Sequence, residues 1–318
     1  MPVTRKVFSA IALAMVAIVA ASLIMGRSQE RSAARALADV QAAIPPLAEK
    51  GVAPPELSAT AVFVKRLATG EILLDRESWL ELPVASLTKL MTALLLVELS
   101  PPGEVIAFSA QAKAAGEPDV KRGPVLAGER VSVDGVIQLL LIVSANDAAY
   151  AAAEHLGVRD DIGSTGLFTD RISTFVERMN ERAQTLGLRG TRFANPAGND
   201  DPDNYSTARD IASLAEFIAR NRPELWAVSR LPAAVLMTLD GRSYPIVNTN
   251  PLLGEYPALS GSKTGFEDQA QGTLVFLYSL ASEDMLAAVL LKSGDRFGDE
   301  RKLIEWIESN FEVATAQP

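Results

Sequence analysis

The sequence predicts an α/β (α+β) fold in which helices flank one antiparallel sheet and form a lobe beside it, preceded by an N-terminal transmembrane helix. Segments with strand-like patterns occur at both ends of the globular part, and helical patterns lie between them. Near the N-terminus, 19 uncharged residues at positions 7–25 follow Arg5 and Lys6. We expect the sheet to combine the two ends of the globular part, with a cleft between the sheet and the helices.

The apolar run at residues 7–25 is long enough to cross a bilayer as a helix. A cleaved signal peptide is the alternative, since Val19, Ala20 and Ala21 offer a small-residue cleavage site. Either interpretation exports the rest of the chain. We therefore expect a single-pass cell-membrane protein with an extracytoplasmic domain, periplasmic or wall-facing, or a secreted protein if the segment is cleaved.

Prolines divide the chain after this run. Residues 27–54 are polar and alanine-rich and carry Pro45, Pro46 and Pro54, which interrupt helices and suit a membrane-proximal spacer. The predicted plan is therefore an anchor or signal sequence at 1–26, a spacer at 27–54, one catalytic domain at 55–313 and a tail at 314–318.

The globular part begins with a predicted hairpin around Thr69-Gly70, because SATAVFVKRLATGEILLDRES alternates apolar and polar residues. LTKLMTALLLVEL then has helical periodicity, and two further helical segments are interrupted at Ser144. Two amphipathic helices follow, FVERMNERAQTLGL and STARDIASLAEFIARN, the second with Ser206 as its predicted N-cap.

Strand-like apolar runs return near the C-terminus in GSKTGF, GTLVFLYSLAS and MLAAVLLKSG. Residues 299–311 place five apolar side chains on one helical stripe, which predicts a closing helix packed on the core. These side chains are Leu303, Ile304, Trp306, Ile307 and Phe311.

Composition excludes several classes of function. The chain has 318 residues, of which 48% are hydrophobic and 22% charged, as in an ordinary globular protein of one or two domains. Its net charge of −9 disfavours a nucleic-acid partner. There is no cysteine, and His155 is the only histidine, so thiol chemistry is excluded and a hydrolytic mechanism needs a base other than imidazole. We expect no metal and no cofactor.

The first candidate motif is PVASLTK, which opens the long apolar helix. Ser86 and Lys89 are three positions apart and share one helix face, so their hydroxyl and amine can touch. A serine needs a base to become nucleophilic, and a lysine serves where burial or a neighbouring cation lowers its pKa. The backbone N–H of Ser86 is available to a developing oxyanion. Alone, the pattern is also compatible with an exposed, serine-capped helix start.

Two further motifs complete the set. Ser144-Ala145-Asn146 lies between two helices, where Ser144 can pass a proton and Asn146 can bind substrate, although Asn146 or Asp147 can equally cap the second helix. In GSKTG, Lys263 and Thr264 offer a charged donor and a hydroxyl to a terminal carboxylate. The alternative for that segment is a surface lysine between turns.

Together, S-x-x-K, S-x-N and K-T-G in this order are the set found in active-site serine penicillin-interacting enzymes. From about residue 54 to residue 311 the chain resembles the D-alanyl-D-alanine carboxypeptidase family, the low-molecular-mass penicillin-binding proteins or serine-type D,D-peptidases of the SxxK class. Segments such as ASLTKLMTALLLVE, LLLIVSANDAAYAAAEHLG and YSTARDIASLA carry the resemblance.

This resemblance implies a β-lactamase/transpeptidase-like fold with a five-stranded sheet. It makes Ser86 the acylated nucleophile, Lys89 its general base, and Ser144 and Asn146 the second motif. Lys263, Thr264 and Gly265 become the third motif, and the backbone N–H of Phe266 joins that of Ser86 in the oxyanion hole. Catalytic roles thus fall to the first three residues and substrate binding to the others.

The expected function is a serine-type D-Ala-D-Ala carboxypeptidase that acts on peptidoglycan stem peptides and is acylated by β-lactams. A D,D-endopeptidase that cuts cross-links is the nearest alternative. A β-lactamase ranks next, since no E-x-x-L-N-like segment lies between the second and third motifs. A non-catalytic wall-binding protein ranks last.

The sequence departs from the family pattern in two places. After KTGF it reads EDQAQG, where the family usually has a threonine first and Ala-Gly last, which leaves the substrate fit beside this strand open. The surface turn NPAGN lacks the histidine that commonly follows its proline. In addition, no β-rich domain or amphipathic anchor is expected after Phe311.

Three other features are assigned structural roles. His155 is expected at a helix end, interacting with the helix dipole. The acidic segment 199–204 lacks the ligand spacing of an EF-hand and is interpreted as a solvated turn. For Arg296 a role beside the carboxylate site is the alternative, but a surface ion pair is the favoured interpretation, and the residue is left outside the candidate site.

Overall fold

The computed structural model describes residues 44–115, 123–157, 166–281 and 284–313. The predicted anchor, most of the predicted spacer and the tail at 314–318 lie outside these residues. Within the described part of the chain, no helix is both long enough and apolar enough to cross a bilayer.

Strands occur along the whole described chain and are numbered β1 to β13. They are Leu47–Glu49, Ala61–Arg66, Ile72–Arg76, Leu82–Pro83, Val105–Ala107, Arg130–Ser132, Tyr205–Ser206, Ala233–Met237, Ser243–Val247, Leu259–Glu267, Gln271–Ala281, Asp284–Ser293 and Phe311–Val313.

Helices lie mostly between the N-terminal and C-terminal strands and are numbered α1 to α8 over the described residues. They are Lys89–Leu99, Ala110–Ala115, Val133–Gln138, Asn146–Leu156, Phe168–Thr185, Ala208–Asn221, Pro223–Ser229 and Arg296–Asn310. Short 3₁₀ turns cover Ala85–Thr88 and Pro251–Gly254, and a π-helical turn covers Leu139–Val143.

Five strands form the main sheet in the order β10-β11-β12-β2-β3, and every neighbouring pair is antiparallel. The N-terminal hairpin and the three C-terminal strands therefore combine in one sheet, which confirms the prediction. Strand β10, which carries the KTG motif, is an edge strand, so one side of its backbone is open to an extended ligand.

Both faces of the sheet are covered, because alternate residues of its central strands are buried on opposite sides. Val275 and Leu277 belong to the large core cluster that they share with the helical lobe. Their neighbours Leu274, Phe276 and Tyr278 are also buried and face the other side. On that side the Tyr278 hydroxyl contacts Glu308 of helix α8.

Helix α8 confirms the predicted closing helix, although it begins at Arg296 rather than near 299. All five residues of the predicted apolar stripe are buried. The chain before Pro54 is already attached to this helix, since the N–H of Lys50 donates to Asn310 O at 2.8 Å and the indole N–H of Trp306 donates to Val52 O at 2.9 Å. The compact unit runs from Glu49 to Glu312.

Helix α6 begins one residue later than predicted. Its N-cap is Thr207, whose hydroxyl accepts from the N–H of Asp210 at 3.0 Å. The prediction of Ser206 as the cap was wrong because Ser206 is extended in β7 and its hydroxyl contacts Thr191 at 2.7 Å. Both residues have suitable side chains, and only the backbone conformation distinguishes them.

Helix α7 and the hairpin β8–β9 were not predicted. The hairpin buries Leu236 and Ile246 on one face and exposes Val235, Met237 and Val247 on the other. Apolar residues on both faces remove the alternation that identifies a half-buried strand in a sequence.

Candidate active site

The first motif lies where a 3₁₀ turn runs directly into helix α1. Ser86 is in the turn and Lys89 is the first residue of the helix, and both are buried. Lys89 Nζ lies 2.9 Å from Ser86 Oγ. Ala85, the residue before the serine, has a φ of 47°, a conformation that costs a non-glycine residue energy and often occurs at functional sites. The structure thus brings the predicted nucleophile and base into contact.

Two oxygen acceptors hold the lysine amine. Lys89 Nζ donates to Asn146 Oδ1 at 2.7 Å and to the carbonyl oxygen of Ala197 at 2.5 Å. In its uncharged form the amine also has a lone pair, which can accept a proton from the Ser86 hydroxyl 2.9 Å away. The contacts therefore suit a lysine that takes a proton from the serine.

The NPAGN segment contributes the carbonyl of Ala197. The prediction that this segment is a surface turn was wrong, because Pro196, Ala197 and Gly198 are all buried. The Asn195 side chain makes burial possible, since its Oδ1 accepts from the N–H groups of Ala197, Gly198 and Asn199 at 3.2, 2.7 and 3.0 Å. Backbone carbonyls have no sequence signal, so this acceptor was not identifiable from residue types.

Position 198 requires a glycine, because the backbone there lies very close to the first motif. Its φ is 86°, and a Cβ atom there would lie 1.9 Å from the carbonyl oxygen of Ala85. Only glycine combines this conformation with this distance. The turn that supplies Ala197 is therefore packed directly against the turn that supplies Ser86.

The second motif lies in a strained turn between the π-helical turn and helix α4. Ser144 has φ 62° and ψ 36°, in the left-handed region. Asn146 does not cap helix α4: the cap position is Ala145, with no side-chain capping bond, and the Asn146 amide instead accepts from Lys89. The capping alternative for Asn146 is therefore wrong.

Lys263 of strand β10 connects the third motif to the second. Its amine donates to Ser144 Oγ at 2.7 Å and to Thr264 O at 2.6 Å, and the side chain is 1% exposed. The alternative of a surface lysine is excluded. A buried ammonium in contact with a serine hydroxyl can both attract an anion and favour proton transfer through that hydroxyl.

Gly265 lets strand β10 approach the first motif. A Cβ atom at this position would lie 2.9 Å from the backbone nitrogen of Ser86 and 2.4 Å from Thr273 Oγ1. Thr273 itself donates to the carbonyl oxygen of Val84 at 3.0 Å, which ties the sheet to the same turn. The peptide group of Phe266 follows at once, so two predicted oxyanion donors come from adjoining segments.

Thr264 and Phe266 complete the wall formed by β10. Thr264 Oγ1 lies 2.7 Å from Thr249 Oγ1, and the Phe266 side chain is 47% exposed. The guanidinium of Arg296 stacks over the Phe266 ring at 5.6 Å and over the Phe297 ring at 4.6 Å. Thr249 was not among the predicted site residues, and nothing in its local sequence marks it.

Arg296 does not form the surface ion pair that the sequence suggested. It lies between two aromatic rings, and its Nε has no hydrogen-bond partner among the described residues. Burial lowers the pKa of this guanidinium from its usual value, although Asp295 and Glu300 act in the opposite direction. A partly desolvated cation next to Phe266 is chemically suited to bind a carboxylate.

The remaining features keep structural roles. His155 is in the last turn of α4, and its Nε2 lies 3.0 Å from Glu104 Oε1. Burial lowers the pKa of the imidazole. The acidic segment 199–204 is held by a hydrogen bond to the turn after β10, since Asp200 Oδ2 accepts from the N–H of Gln269 at 2.9 Å. The acidic segment therefore contacts the EDQAQG segment that departs from the family pattern. No cluster suited to a metal ion occurs within the described residues.

The site thus contains two serine–lysine contacts in one buried region, Ser86 with Lys89 and Ser144 with Lys263. The first places the predicted nucleophile beside the predicted base, and the second places a serine hydroxyl beside a buried lysine amine, an arrangement that can pass a proton. Such a pair of contacts is suited to acyl transfer through a serine ester.

Comparison with known proteins agrees with this geometry. The peptidase S11 family model, described as D-alanyl-D-alanine carboxypeptidase, matches residues 48–294. D-alanyl-D-alanine carboxypeptidase DacF of Bacillus subtilis is 28% identical over 264 residues, covering 80% of this chain and 63% of that protein. A D-alanyl-D-alanine endopeptidase of Pseudomonas aeruginosa is 29% identical over 262 residues, covering 80% of this chain and 78% of that protein.

Among solved structures, the Streptomyces K15 DD-transpeptidase matches with a TM-score of 0.73 and 25% identity over 81% of this chain and 100% of that chain. The chain spans slightly under two thirds of the carboxypeptidase relatives from Bacillus subtilis, Haemophilus influenzae and Escherichia coli, at 63%, 65% and 66%. Sequence, fold and site agree, and the chain belongs to the D-alanyl-D-alanine carboxypeptidase family, peptidase S11, of low-molecular-mass penicillin-binding proteins.

Proposed function

We propose that this chain is a serine-type D-Ala-D-Ala carboxypeptidase that removes the terminal D-alanine from peptidoglycan stem peptides and is acylated by β-lactams. The observation that carries the proposal is the buried Lys89 amine, 2.9 Å from Ser86 Oγ and held by Asn146 and Ala197. Family membership supplies the substrate class.

Acylation begins when Ser86 Oγ attacks the carbonyl carbon of the penultimate D-alanine. The hydroxyl proton passes to Lys89 Nζ, which lies 2.9 Å from Ser86 Oγ and accepts it in the uncharged form. The negative charge that develops on the carbonyl oxygen is stabilised by the backbone N–H groups of Ser86 and Phe266. The C–N bond then breaks, and the leaving amine of the terminal D-alanine receives a proton through Ser144.

The third motif binds the substrate's C-terminus. Lys263 is a buried cation, and Thr264 offers a hydroxyl on the same strand, so together they attract and orient a terminal carboxylate. Arg296 adds a second cation beside Phe266. The extended peptide lies along the open edge of β10, with the Asn146 amide available on the opposite side of the cleft.

Hydrolysis of the acyl-enzyme completes the cycle. Water attacks the ester carbonyl and gives a proton to Lys89, and the Ser86–acyl bond breaks with return of a proton to Ser86 Oγ. The product is the peptide shortened by one D-alanine. A β-lactam follows the same acylation, but its ring-opened product stays attached to the serine.

D-alanine release tests the proposal. The full-length protein is incubated with a diacyl-D-Ala-D-Ala peptide, and free D-alanine is measured for the wild type and for Ser86→Ala. We expect release by the wild type and a loss of at least about 10³-fold in the variant, because removal of a nucleophile abolishes the covalent route. Equal rates would contradict the proposal.

A D,D-endopeptidase is the second candidate, because a relative of similar identity has that name. The same atoms perform both reactions, and only the pocket for the leaving group differs. The turn after KTGF, which Asp200 contacts through the N–H of Gln269, departs from the family pattern. Cleavage of a defined cross-linked dimer at a rate above that of the pentapeptide would favour this function.

We also propose that residues 7–25 tether the enzyme to the cell membrane with its catalytic domain outside the cytoplasm. Support comes from the length of the uncharged run and from the cations Arg5 and Lys6 before it. Fractionation followed by mass analysis of the mature N-terminus tests this. Recovery in the membrane with the run intact is expected, and a soluble, shortened protein would indicate a cleaved signal peptide.

A further inference from the structure

A chain of buried polar side chains lies against the third-motif strand at Ser262. Asn250 Nδ2 donates to Ser262 Oγ at 3.0 Å and to Glu300 Oε1 at 2.9 Å. Its Oδ1 accepts from the N–H of Leu252 at 3.0 Å. One amide thus links strand β10, helix α8 and the 3₁₀ turn after β9, and both of its N–H donors and its carbonyl oxygen are used.

The segment Thr249-Asn250 contacts strand β10 at two alternate residues. Ser262 and Thr264 lie on one side of the strand, because side chains alternate along it. Asn250 contacts the first, and the preceding residue, Thr249, contacts the second at 2.7 Å. The N–H of Thr249 also donates to Ile142 O at 3.1 Å, in the turn that leads to the second motif. The position of β10 relative to Ser144 therefore depends on this segment.

Glu300 is the least solvated member of the chain. It is 0% exposed, and its Oε2 has no hydrogen-bond partner among the described residues. Burial raises the pKa of this carboxyl to about 8, and the Asn250 amide, Arg301 and Arg296 only partly oppose the shift. The side chain is thus mainly a neutral acid at pH 7. Arg301 forms its own ion pair with Glu255, and Arg296 stacks on two aromatic rings.

We infer that Glu300 is a positioning residue: its neutral carboxyl group seats the Asn250 amide, through which helix α8 holds strand β10 in place. The inference rests on the proposed function, since the strand it positions carries Lys263 and Thr264. The groups that act on Glu300 from the elements packed against it are the neutral Asn250 and, on its own helix, Arg296 and Arg301.

Ionisation of Glu300 disturbs this arrangement. A carboxylate there has one oxygen without a donor in an apolar interior, which is costly unless water or a cation reaches it. Water must enter between α8 and β10, or Arg296 must leave the Phe266 ring. Either movement changes the wall that binds the substrate carboxylate. We therefore expect substrate capture, rather than the chemical step on Ser86, to weaken above pH 8.

The test compares the full-length wild type with Glu300→Gln, which keeps a neutral group of the same shape. Acylation by a fluorescent penicillin is measured from about pH 6 to pH 10 and separated into apparent binding and the acylation step. Above pH 8 the ratio of variant to wild-type labelling is expected to rise about fivefold or more. We expect most of this rise in the apparent binding of the penicillin and little in the acylation step. Glu305→Gln, an exposed change of equal charge on the same helix, should run parallel to the wild type at every pH.

Ser262→Ala provides the second variant, since it cuts the link between Asn250 and β10 without changing charge. Its labelling at pH 7 should approach that of the wild type at high pH. If both the wild type and Glu300→Gln are labelled and their pH profiles run parallel, the positioning role of Glu300 is overturned, whereas the proposed function stands. No labelling of the wild type at any pH would overturn the proposed function, and the positioning role with it.

Discussion

The Lys89 amine is the residue on which the mechanism depends most. It contacts three oxygen atoms, those of Ser86, Asn146 and Ala197, and it is fully buried. The chain has no cysteine, and its one histidine, His155, contacts Glu104, whereas Lys89 places an amine that can accept a proton 2.9 Å from the serine. This arrangement explains how a chain with one histidine can perform serine chemistry.

Lys89→Met removes the amine and keeps a side chain of similar size. We expect labelling by penicillin to fall by about 10³-fold, within the range that a general base supplies. The free energy of unfolding should also fall, because Asn146 Oδ1 and Ala197 O lose a donor. Lys302→Met, at an exposed lysine, is the matched control. Labelling of Lys89→Met within tenfold of the wild type would exclude Lys89 as the base.

At the level of secondary-structure elements, the sequence predicts those with clear periodicity and misses those without it. The five main strands, the helix that begins at Lys89 and the helical segments on either side of Ser144 follow from regular patterns. The hairpin β8–β9 is apolar on both faces, and α7 is only seven residues long. Each of these lacks the repeat on which a sequence prediction depends.

In the candidate site, too, some residues are recognisable from the sequence and others are not. Side chains with chemical function, such as Ser86, Lys89 and Lys263, are recognisable by type and spacing. The carbonyl of Ala197 and the Thr249 hydroxyl are not, because their importance arises only from the folded geometry. The family resemblance also led us to expect the NPAGN turn on the surface, because its packing against Ala85 is a tertiary contact that the residue types do not indicate.

The assignment of Thr207 as the N-cap of helix α6 can be tested by substitution. Thr207→Ala should lower the free energy of unfolding by about 1 kcal/mol, because the N–H of Asp210 loses its acceptor. Urea denaturation measures the change. Ser213→Ala, an exposed serine within the same helix, serves as the control. A loss below about 0.3 kcal/mol for Thr207→Ala would argue against the capping assignment.

Across the whole molecule, the two ends of the compact unit are joined by one buried carboxylate. Asp299 of helix α8 accepts from the N–H groups of Ser58 and Ala59 and from the Ser293 hydroxyl, at 2.8, 2.8 and 2.6 Å. Burial alone would raise the pKa of Asp299, but these hydrogen bonds outweigh it and lower the pKa below its usual 3.8. The segment that enters β2 is thereby fixed to the closing helix.

This contact predicts how stability changes with acid. A depressed carboxyl pKa stabilises the fold above the unfolded-state value and loses that contribution as pH falls through the folded-state value. Asp299→Asn should therefore be less stable than the wild type by about 2 kcal/mol at pH 7. The difference should shrink as pH falls below 3.8, the usual value for aspartate. A difference that does not depend on pH would contradict the assignment.

The proposed mechanism depends on covalent acylation of Ser86, which mass analysis of the peptide containing Ser86 detects. The full-length protein is exposed briefly to a penicillin and digested, and the modified residue is located by fragmentation. We expect one penicilloyl group on Ser86 in the wild type and none in Ser86→Ala. An unmodified Ser86, or an adduct on another residue, would contradict this mechanism.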